Sequence, residues 1–451
     1  MDKNEIFKNQ EEIIYFVKKY LEKCKKANIN IFNSSVCFFT NYRGTLGNAT
    51  LKLKFRGYKY FFYYIKIFIL HMLSIATLSN YYSTKKKFNN KNFKHLIVSN
   101  ATRKDFKNDG SYFDSYFQTN TRSMPKVLWF LNCVDNYMPS KFDKNIILFG
   151  RKKNVIKFNI IFFIKTLFNT IFNCNFSIRK ILHEFSFFSQ FSKIINKKIL
   201  KEVSDGKFNS VVHLYEAQPF QNDILTKIKK INKKIKTVGF YHTALHAVPI
   251  GLIHKPTSLD KLLITGAYNK KYLIKYFNWP SKKIKVIPSP RYKKTNIPNM
   301  SGLIFLPYDF LSIEKIVEEF KNYLENSETN SINFLKIKNH PHKLNSRKHN
   351  KLIMELNKVM VVYKNRFSKR KNIEKKSIFV GPTTSLILAL EMNINVVHIC
   401  EDPIFDCYNE GFWKILRVFQ ISKNTFVYKL RKKQNLINLS TRNGFLKKYC
   451  A

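Results

Sequence analysis

Two short runs in the second half of the chain carry residues able to do chemistry on an anionic group. One is Gly381-Pro382-Thr383-Thr384-Ser385, between the apolar runs Ser377-Ile378-Phe379-Val380 and Leu386-Ile387-Leu388-Ala389-Leu390-Glu391. Gly and Pro end a strand and hydroxyl residues favour a helix start, so the pattern reads strand, tight turn, helix. Hydroxyls and unpaired N–H groups at a helix start, with the positive end of its dipole behind them, bind phosphate. The other run, Asn339-His340-Pro341, ends the apolar stretch Ile332-Asn333-Phe334-Leu335-Lys336-Ile337-Lys338. His340, at the carboxyl end of a strand and fixed by Pro341, shares one rim of a parallel sheet with the Gly381 turn, and open α/β sheets bind ligands along that rim. A nucleotide mono- or diphosphate suits these groups. Lys336 and Lys338 alternate on their strand, which serves either phosphate neutralisation or a solvated face.

Such a rim needs a parallel sheet, and the chain is patterned for two. Short β-rich runs at 95–99, 126–134, 145–150, 210–215, 236–241, 261–265 and 284–287 are separated by helical stretches, as in strands joined by crossovers. Periodicity predicts a helix over 11–24 and a strand over 36–40, and Pro219 suits a first helical turn. The turn-rich stretch from Pro288 to Gly302 reads as a connector. A second unit then starts with a strand at 303–306 and a helix capped by Ser312, with Ile313, Ile316, Val317, Phe320, Tyr323 and Leu324 on one face. It continues through a strand at 395–399, helical character around 412–418 and a basic tail. The expected fold is α/β, two Rossmann-like domains facing across a cleft. Residues 1–290 form an N-terminal domain with apolar helices, 291–302 a linker, 303–420 the C-terminal domain and 421–451 the tail. A cleft between domains is a favoured place for a small-molecule site.

Composition narrows the partners. Lys and Arg number 80 against 29 Asp and Glu, a formal charge of +51 in 451 residues. Lys, Asn, Ile, Phe and Tyr are over-used together and the Lys residues are dispersed, so a compositional bias comes first as cause. Attraction to anionic lipid or phosphate-bearing substrates is its consequence. The 42 Phe and 24 Tyr read as core, not as a base-stacking platform. Seven scattered Cys with no C-x-x-C pair argue against a zinc ribbon or a disulfide scaffold and for a reducing compartment; no metal is expected. The polar, mixed-charge start is not a signal peptide. Residues 58–78 and 155–178 are apolar but interrupted by Lys59, Lys66, His71, Lys157 and Lys165. They are expected to be amphipathic helices, in the core or in a membrane interface, rather than spans. The expected location is cytoplasmic, with peripheral contact at the inner face of the membrane.

The Lys-x-x-x-His-Pro strand end at 336–341, paired with the Gly-Pro-Thr-Thr-Ser helix start, resembles bacterial glycosyltransferases of the GT-B type. Similar motifs mark polysialyltransferases, related CMP-sugar-dependent transferases and CDP-glycerol glycerophosphotransferases. Val212-His213-Leu214-Tyr215-Glu216-Ala217-Gln218-Pro219-Phe220 and Gly239-Phe240-Tyr241-His242 are similar to strand-end motifs of O-antigen and capsule biosynthesis proteins. The resemblance covers about 211–398. It implies transfer of a sugar from a nucleotide-activated donor, the CMP type favoured, to a surface polysaccharide or lipid-linked glycan, with the first domain on the acceptor side and no separate cofactor. It also implies that Lys336, His340, Pro341, Gly381, Thr383, Thr384 and Ser385 hold the donor phosphate, that His340 protonates it as the nucleotide leaves, and that Glu391 holds the ribose. Asn393 and Asn395 depart from the family by standing where a Gly is usual.

An inverting transfer needs a carboxylate or imidazole to take the proton of the attacking hydroxyl. Glu216, at a strand end, is the first candidate and His242 the next, with His246 of equal standing to His242. Against these stand plainer readings: Glu216 as a cap for the helix from Pro219, and Gly381 to Ser385 as an ordinary strand-to-helix loop. His213 and His398 read as core residues. The rival functions are CDP-polyol phosphate transfer on the same fold, and a basic non-catalytic nucleic-acid or membrane binder. No RNA-binding or helix-turn-helix signature supports a specific nucleic-acid partner.

Overall fold

The chain's long crossovers resolve into two sheets, seen in a computed structural model that describes residues 1–27, 29, 45–84, 93–134, 138–151, 157–255, 259–293, 299–326, 332–333, 335–340, 343–344, 346–368, 375–432 and 436–440. The strand expected at 36–40, Pro341, part of the linker and the end of the tail lie outside the described residues.

In the first sheet the strands lie in the order Tyr81–Ser83, Ile146–Arg151, Val127–Cys133, His95–Ala101, Ser210–Leu214, Lys236–Phe240, Lys261–Ile264 and Ile284–Val286. All neighbours are parallel except Tyr81–Ser83, an antiparallel edge strand. Leaving that edge aside, the first three strands in the chain run outward to one side and the next four to the other. The order therefore reverses between His95–Ala101 and Ser210–Leu214. The central strands are buried along almost their whole length, as expected where helices cover both faces.

The second sheet has the order Lys336–Lys338, Leu303–Phe305, Lys376–Val380, Asn395–Ile399, Thr425–Leu430, Leu416–Gln420. The first four are parallel and the last two form an antiparallel hairpin on Asn395–Ile399. Its order reverses between Leu303–Phe305 and Lys376–Val380.

Three elements differ from expectation. The run at 332–338 is two strands: Ile332–Asn333 pairs with Phe367–Ser368, and only Lys336–Lys338 joins the main sheet. The helical character expected around 412–418 is instead the strand Leu416–Gln420, where Leu416 and Val418 are buried while Arg417 and Phe419 are exposed, a period of two. The second unit also runs past 420, because Thr425–Leu430 pairs with Asn395–Ile399.

The two units share one apolar core. The helix Lys3–Lys26 leaves the first unit and docks on the second, where Gln10 Nε2 donates to the carbonyls of Ile404 and Cys407. Lys52 and Arg56 of the helix Leu46–Arg56 meet Asp402 at 3.4 and 3.3 Å, with Lys52 and Asp402 both buried. The end of the chain returns the other way. Leu436 and Ile437 are buried in the shared core, Asn438 N–H donates to Thr265 O, and Ser289–Lys293 pairs with Leu439–Ser440. Gly266 permits that return, since a Cβ there would lie 2.0 Å from Leu436 O. Gly266→Ala is expected to displace the 436–440 segment and lower stability by about 1–3 kcal/mol, the usual scale of an overpacked core. A thermal melt read by circular dichroism checks this, and an unchanged midpoint contradicts it.

Candidate active site

Glu216 follows Leu214 at the carboxyl end of a strand bordering the point where the first sheet's order reverses. Its loop is held by Gln221. That side chain accepts from the N–H groups of Glu216 and Gln218 at 2.9 and 3.1 Å, and donates to Leu214 O at 2.5 Å. Between them Ala217 takes φ +58, a left-handed conformation that costs a residue with a side chain about 1 kcal/mol. The capping residue of the helix Pro219–Ile231 is Gln218, two positions after Glu216. Its Oε2 accepts from Gln218 Nε2 at 2.8 Å, and Oε1 lies 3.9 Å from His242 Nδ1.

His242 follows the neighbouring strand Lys236–Phe240 and is buried. Burial, then the charges of Arg291 and His246, push its pKa down to about 3, so the ring is neutral at physiological pH. Among the described residues Nδ1 has no hydrogen-bond partner. The Tyr116 ring packs edge-on against it, centroids 4.7 Å apart. Tyr116 is set in place by Asp114, whose Oδ1 accepts from the N–H groups of Tyr116 and Phe117 at 2.8 Å and whose Oδ2 accepts from Tyr112 at 2.8 Å. Burial raises Asp114 to about 6. Arg291, on the strand Ser289–Lys293, is exposed and acts electrostatically on both His242 and Tyr116. A carboxylate, a neutral imidazole, a phenol and a guanidinium thus converge at one strand rim.

In the second sheet the carboxyl ends of Leu303–Phe305, Lys336–Lys338 and Lys376–Val380 are three neighbouring strand ends. His340 is half-buried, its backbone N–H donating to Asn339 Oδ1 at 2.8 Å and its ring edge-on to Tyr308 at 5.3 Å between centroids. Lys343 Nζ lies 4.2 Å from the Tyr308 ring, and Asn339 Nδ2 donates to Lys343 O, closing the turn. One strand over, Gly381 turns the chain at φ +60, its N–H donating to Ile399 O and its carbonyl accepting from His398 Nε2 at 2.7 Å. His398 is thereby a satisfied core histidine, with Tyr428 on its Nδ1. Ser385 N–H donates to Thr383 Oγ1 at 3.3 Å, and the Thr384 hydroxyl makes no cap bond to its helix. The helix Ser385–Glu391 has seven residues, so its dipole is short and the donors available are chiefly hydroxyls.

The structure gives two predicted residues other positions or tasks. Lys336 begins its strand, about 13 Å along the chain from His340 at 3.3 Å per residue, and the basic side chain nearer the rim is Lys338. Glu391 sits at the far end of its helix, where Oε2 accepts from the N–H groups of Leu436 and Ile437 at 2.7 and 3.2 Å, fastening the returning tail. Pro341 lies outside the described residues. His213 is buried mid-strand, as a core residue would be, and neither ring nitrogen has a hydrogen-bond partner among the described residues.

The chain leaving Lys236–Phe240 meets the chain leaving Asn395–Ile399: Tyr408 donates to Leu245 O at 2.9 Å and Trp413 Nε1 to Ala247 O at 3.3 Å. Tyr268 donates to Phe412 O beside them. Tyr116, Arg291 and Gln221 were not singled out from the sequence. Gln221 had a signal, since a Gln three residues into a helix start completes a capping box; the other two reach the site only through the fold. Among the described residues no three His, Cys, Asp or Glu side chains form a metal-ligand group.

No protein-family model matches the chain, and no curated protein matches it. Among solved structures it is similar to an α,α-trehalose 6-phosphate synthase from Burkholderia multivorans, at 8% identity over 64% of this chain and 76% of that one, with a TM-score of 0.32. The lipopolysaccharide outer core galactosyltransferase WaaB gives 12% identity over 67% and 79%, with 0.30. The wall teichoic acid polymerase TagF gives 11% over 78% and 77%, also with 0.30. Scores this low leave function to be argued from the chain's own residues.

Proposed function

We propose that this chain transfers a glycosyl group from a nucleotide-activated donor, the CMP-linked type favoured, to a glycan acceptor of a surface polysaccharide or lipid-linked intermediate. One observation carries the reading: each sheet reverses its strand order beside a cluster of reactive side chains, and those reversal points are where open α/β sheets take ligands. In the second sheet the donor phosphate lies between His340 and the Thr383–Ser385 hydroxyls. These are two strand spacings apart, about 10 Å, a gap that a phosphate bonded from both sides bridges. In the first sheet Glu216, with neutral His242 beside it, takes the proton of the acceptor hydroxyl, and Arg291 faces whatever negative charge the substrates bring. His340 donates a proton or hydrogen bond to the departing phosphate.

The test is turnover of CMP-, CDP-, UDP- and GDP-linked sugars, with CDP-glycerol as the polyol alternative. Release of nucleotide from none of them, with any acceptor, overturns the reading. Within it, Thr384→Ala with Ser385→Ala is expected to weaken nucleotide binding by about 1–3 kcal/mol, the cost of hydrogen bonds lost to a charged group. Calorimetry showing equal affinity contradicts the phosphate's placement.

A further inference from the structure

We propose that the outer faces of the helices Phe61–Leu73 and Ile160–Asn173 form one surface that docks the protein on an anionic lipid bilayer, lying in the interface without crossing it. Both helices leave large apolar side chains in water at helical spacing. On and just before the first, exposed positions fall at 57–59, 61–62, 65–66, 69–70 and 73; on and just before the second, at 157–161, 164–165, 168–169 and 172–173. The most exposed in or beside them are far from ordinary surface residues: Phe62 at 82% and Ile161 at 76% on the helices, Tyr58 at 90% just before the first, and Ile178 at 75% at the start of the next helix, Ile178–Glu184. Patches of this kind mark interaction sites.

The helices are neighbours. The N–H of Asn159, the cap of the second, donates to Ala76 O just beyond the first, and Asn80 bonds both backbone groups of Lys157. Both rest on the helix Phe187–Asp205, through His71 against Phe188 and through Gln190 Nε2 donating to Thr170 Oγ1.

Charge selects the occupant. No Asp or Glu occurs from 23 to 104 or from 144 to 183, while Lys59, Lys66, Lys157, Lys165 and Lys180 lie exposed in or beside the stripes. A second copy of so basic a surface would be repelled, whereas anionic headgroups attract it and the Lys stems can bury alongside the rings. The stretch Tyr58–Asn80 is long and apolar enough to cross a membrane by length and composition. It is nevertheless tied at both ends to the folded body: Lys52 is buried on Asp402 just before it, Ile75, Ala76 and Leu78 are core, and Tyr81 pairs with Arg151 just after. Spanning would put those flanks on opposite sides of about 30 Å of hydrocarbon. Docking stands independently of the transferase reading.

The experiment is flotation of the full chain with phosphatidylcholine vesicles, with and without phosphatidylglycerol, at low and high salt. Strong partition onto the anionic vesicles, weakened by salt, is expected. The combined variant Phe62→Glu, Ile161→Glu and Ile178→Glu should lower it about tenfold or more with an unchanged melting curve. A second reporter, Phe62→Trp, should shift its emission to the blue when anionic vesicles are added. Equal partition of wild type and a folded variant overturns the proposal. So does an unmoved Trp emission, or a dimer in sedimentation that the triple variant breaks while vesicles go unbound.

Discussion

Glu216→Gln is expected to slow transfer by about 10²- to 10⁴-fold, the range of a lost general base, while nucleotide affinity stays as in the wild type. The substitution keeps the shape of the side chain and an oxygen to accept from Gln218 Nε2, so the loop strapped by Gln221 is retained. Only the basicity goes. His242 cannot fully replace it, because burial holds the ring's pKa near 3 and makes a protonated product costly. A ring kept neutral beside a carboxylate can still relay or accept a hydrogen bond, and among the described residues its Nδ1 has no hydrogen-bond partner. The pair therefore divides the work, with charge on Glu216 and orientation from His242. Steady-state kinetics with saturating donor, alongside calorimetry of the nucleotide, measures both parts. Full activity in Glu216→Gln combined with loss in His242→Ala would move the base to the imidazole, and full activity in both would remove the cluster from the mechanism.

The fold should fail in mild acid. His71, His213, His242 and His398 are buried, and burial pushes them down to about 4, 3, 3 and 4 from 6.5. A group depressed in the folded state favours folding above its unfolded pKa, and that contribution is lost as pH falls, because the unfolded chain takes up protons the folded one refuses. Between pH 7 and pH 5 each histidine therefore removes about 2 kcal/mol, together about 8. Asp114 works the other way: raised to about 6 in the fold, it binds its proton more tightly there and returns about 1 kcal/mol over the same interval. The net loss, about 7 kcal/mol, is comparable with the whole stability of a typical domain. A chain of formal charge +51 also repels itself more strongly as its carboxylates protonate. Cooperative unfolding is expected near pH 5 by circular dichroism, and a native spectrum retained to pH 4 would contradict the neutral, buried state of these rings.

Much of the site was legible because parallel strands announce themselves. Runs such as Val211 to Leu214, apolar but for His213, and Ile378 to Val380 read as buried strands, and the turn and polar residues that follow, Glu216, Gly381 and Thr383, must fall at carboxyl ends. Chain order alone then puts His340 and the Gly381 turn on one rim. What stayed hidden depends on distant partners. Glu391 fastens backbone 45 positions away, and Tyr116 reaches His242 through a loop pinned by Asp114. The stretch 412–418 reads as a helix for a local reason: Ile415, Leu416 and Val418 fit a helical stripe as well as a strand, and only the pairing of Leu416–Gln420 with Thr425–Leu430 decides it. The exposed stripes on Phe61–Leu73 and Ile160–Asn173 were visible as apolar periodicity, but the sequence cannot say that the apolar side faces out.

A crystal soaked with CMP, CDP, UDP and GDP in turn tests the central claim most directly. The expected result is one nucleotide with its phosphate within hydrogen-bond distance of His340 and the Thr383–Ser385 hydroxyls, its open side toward Glu216 and His242. A nucleotide bound elsewhere, with those groups unengaged, would contradict it.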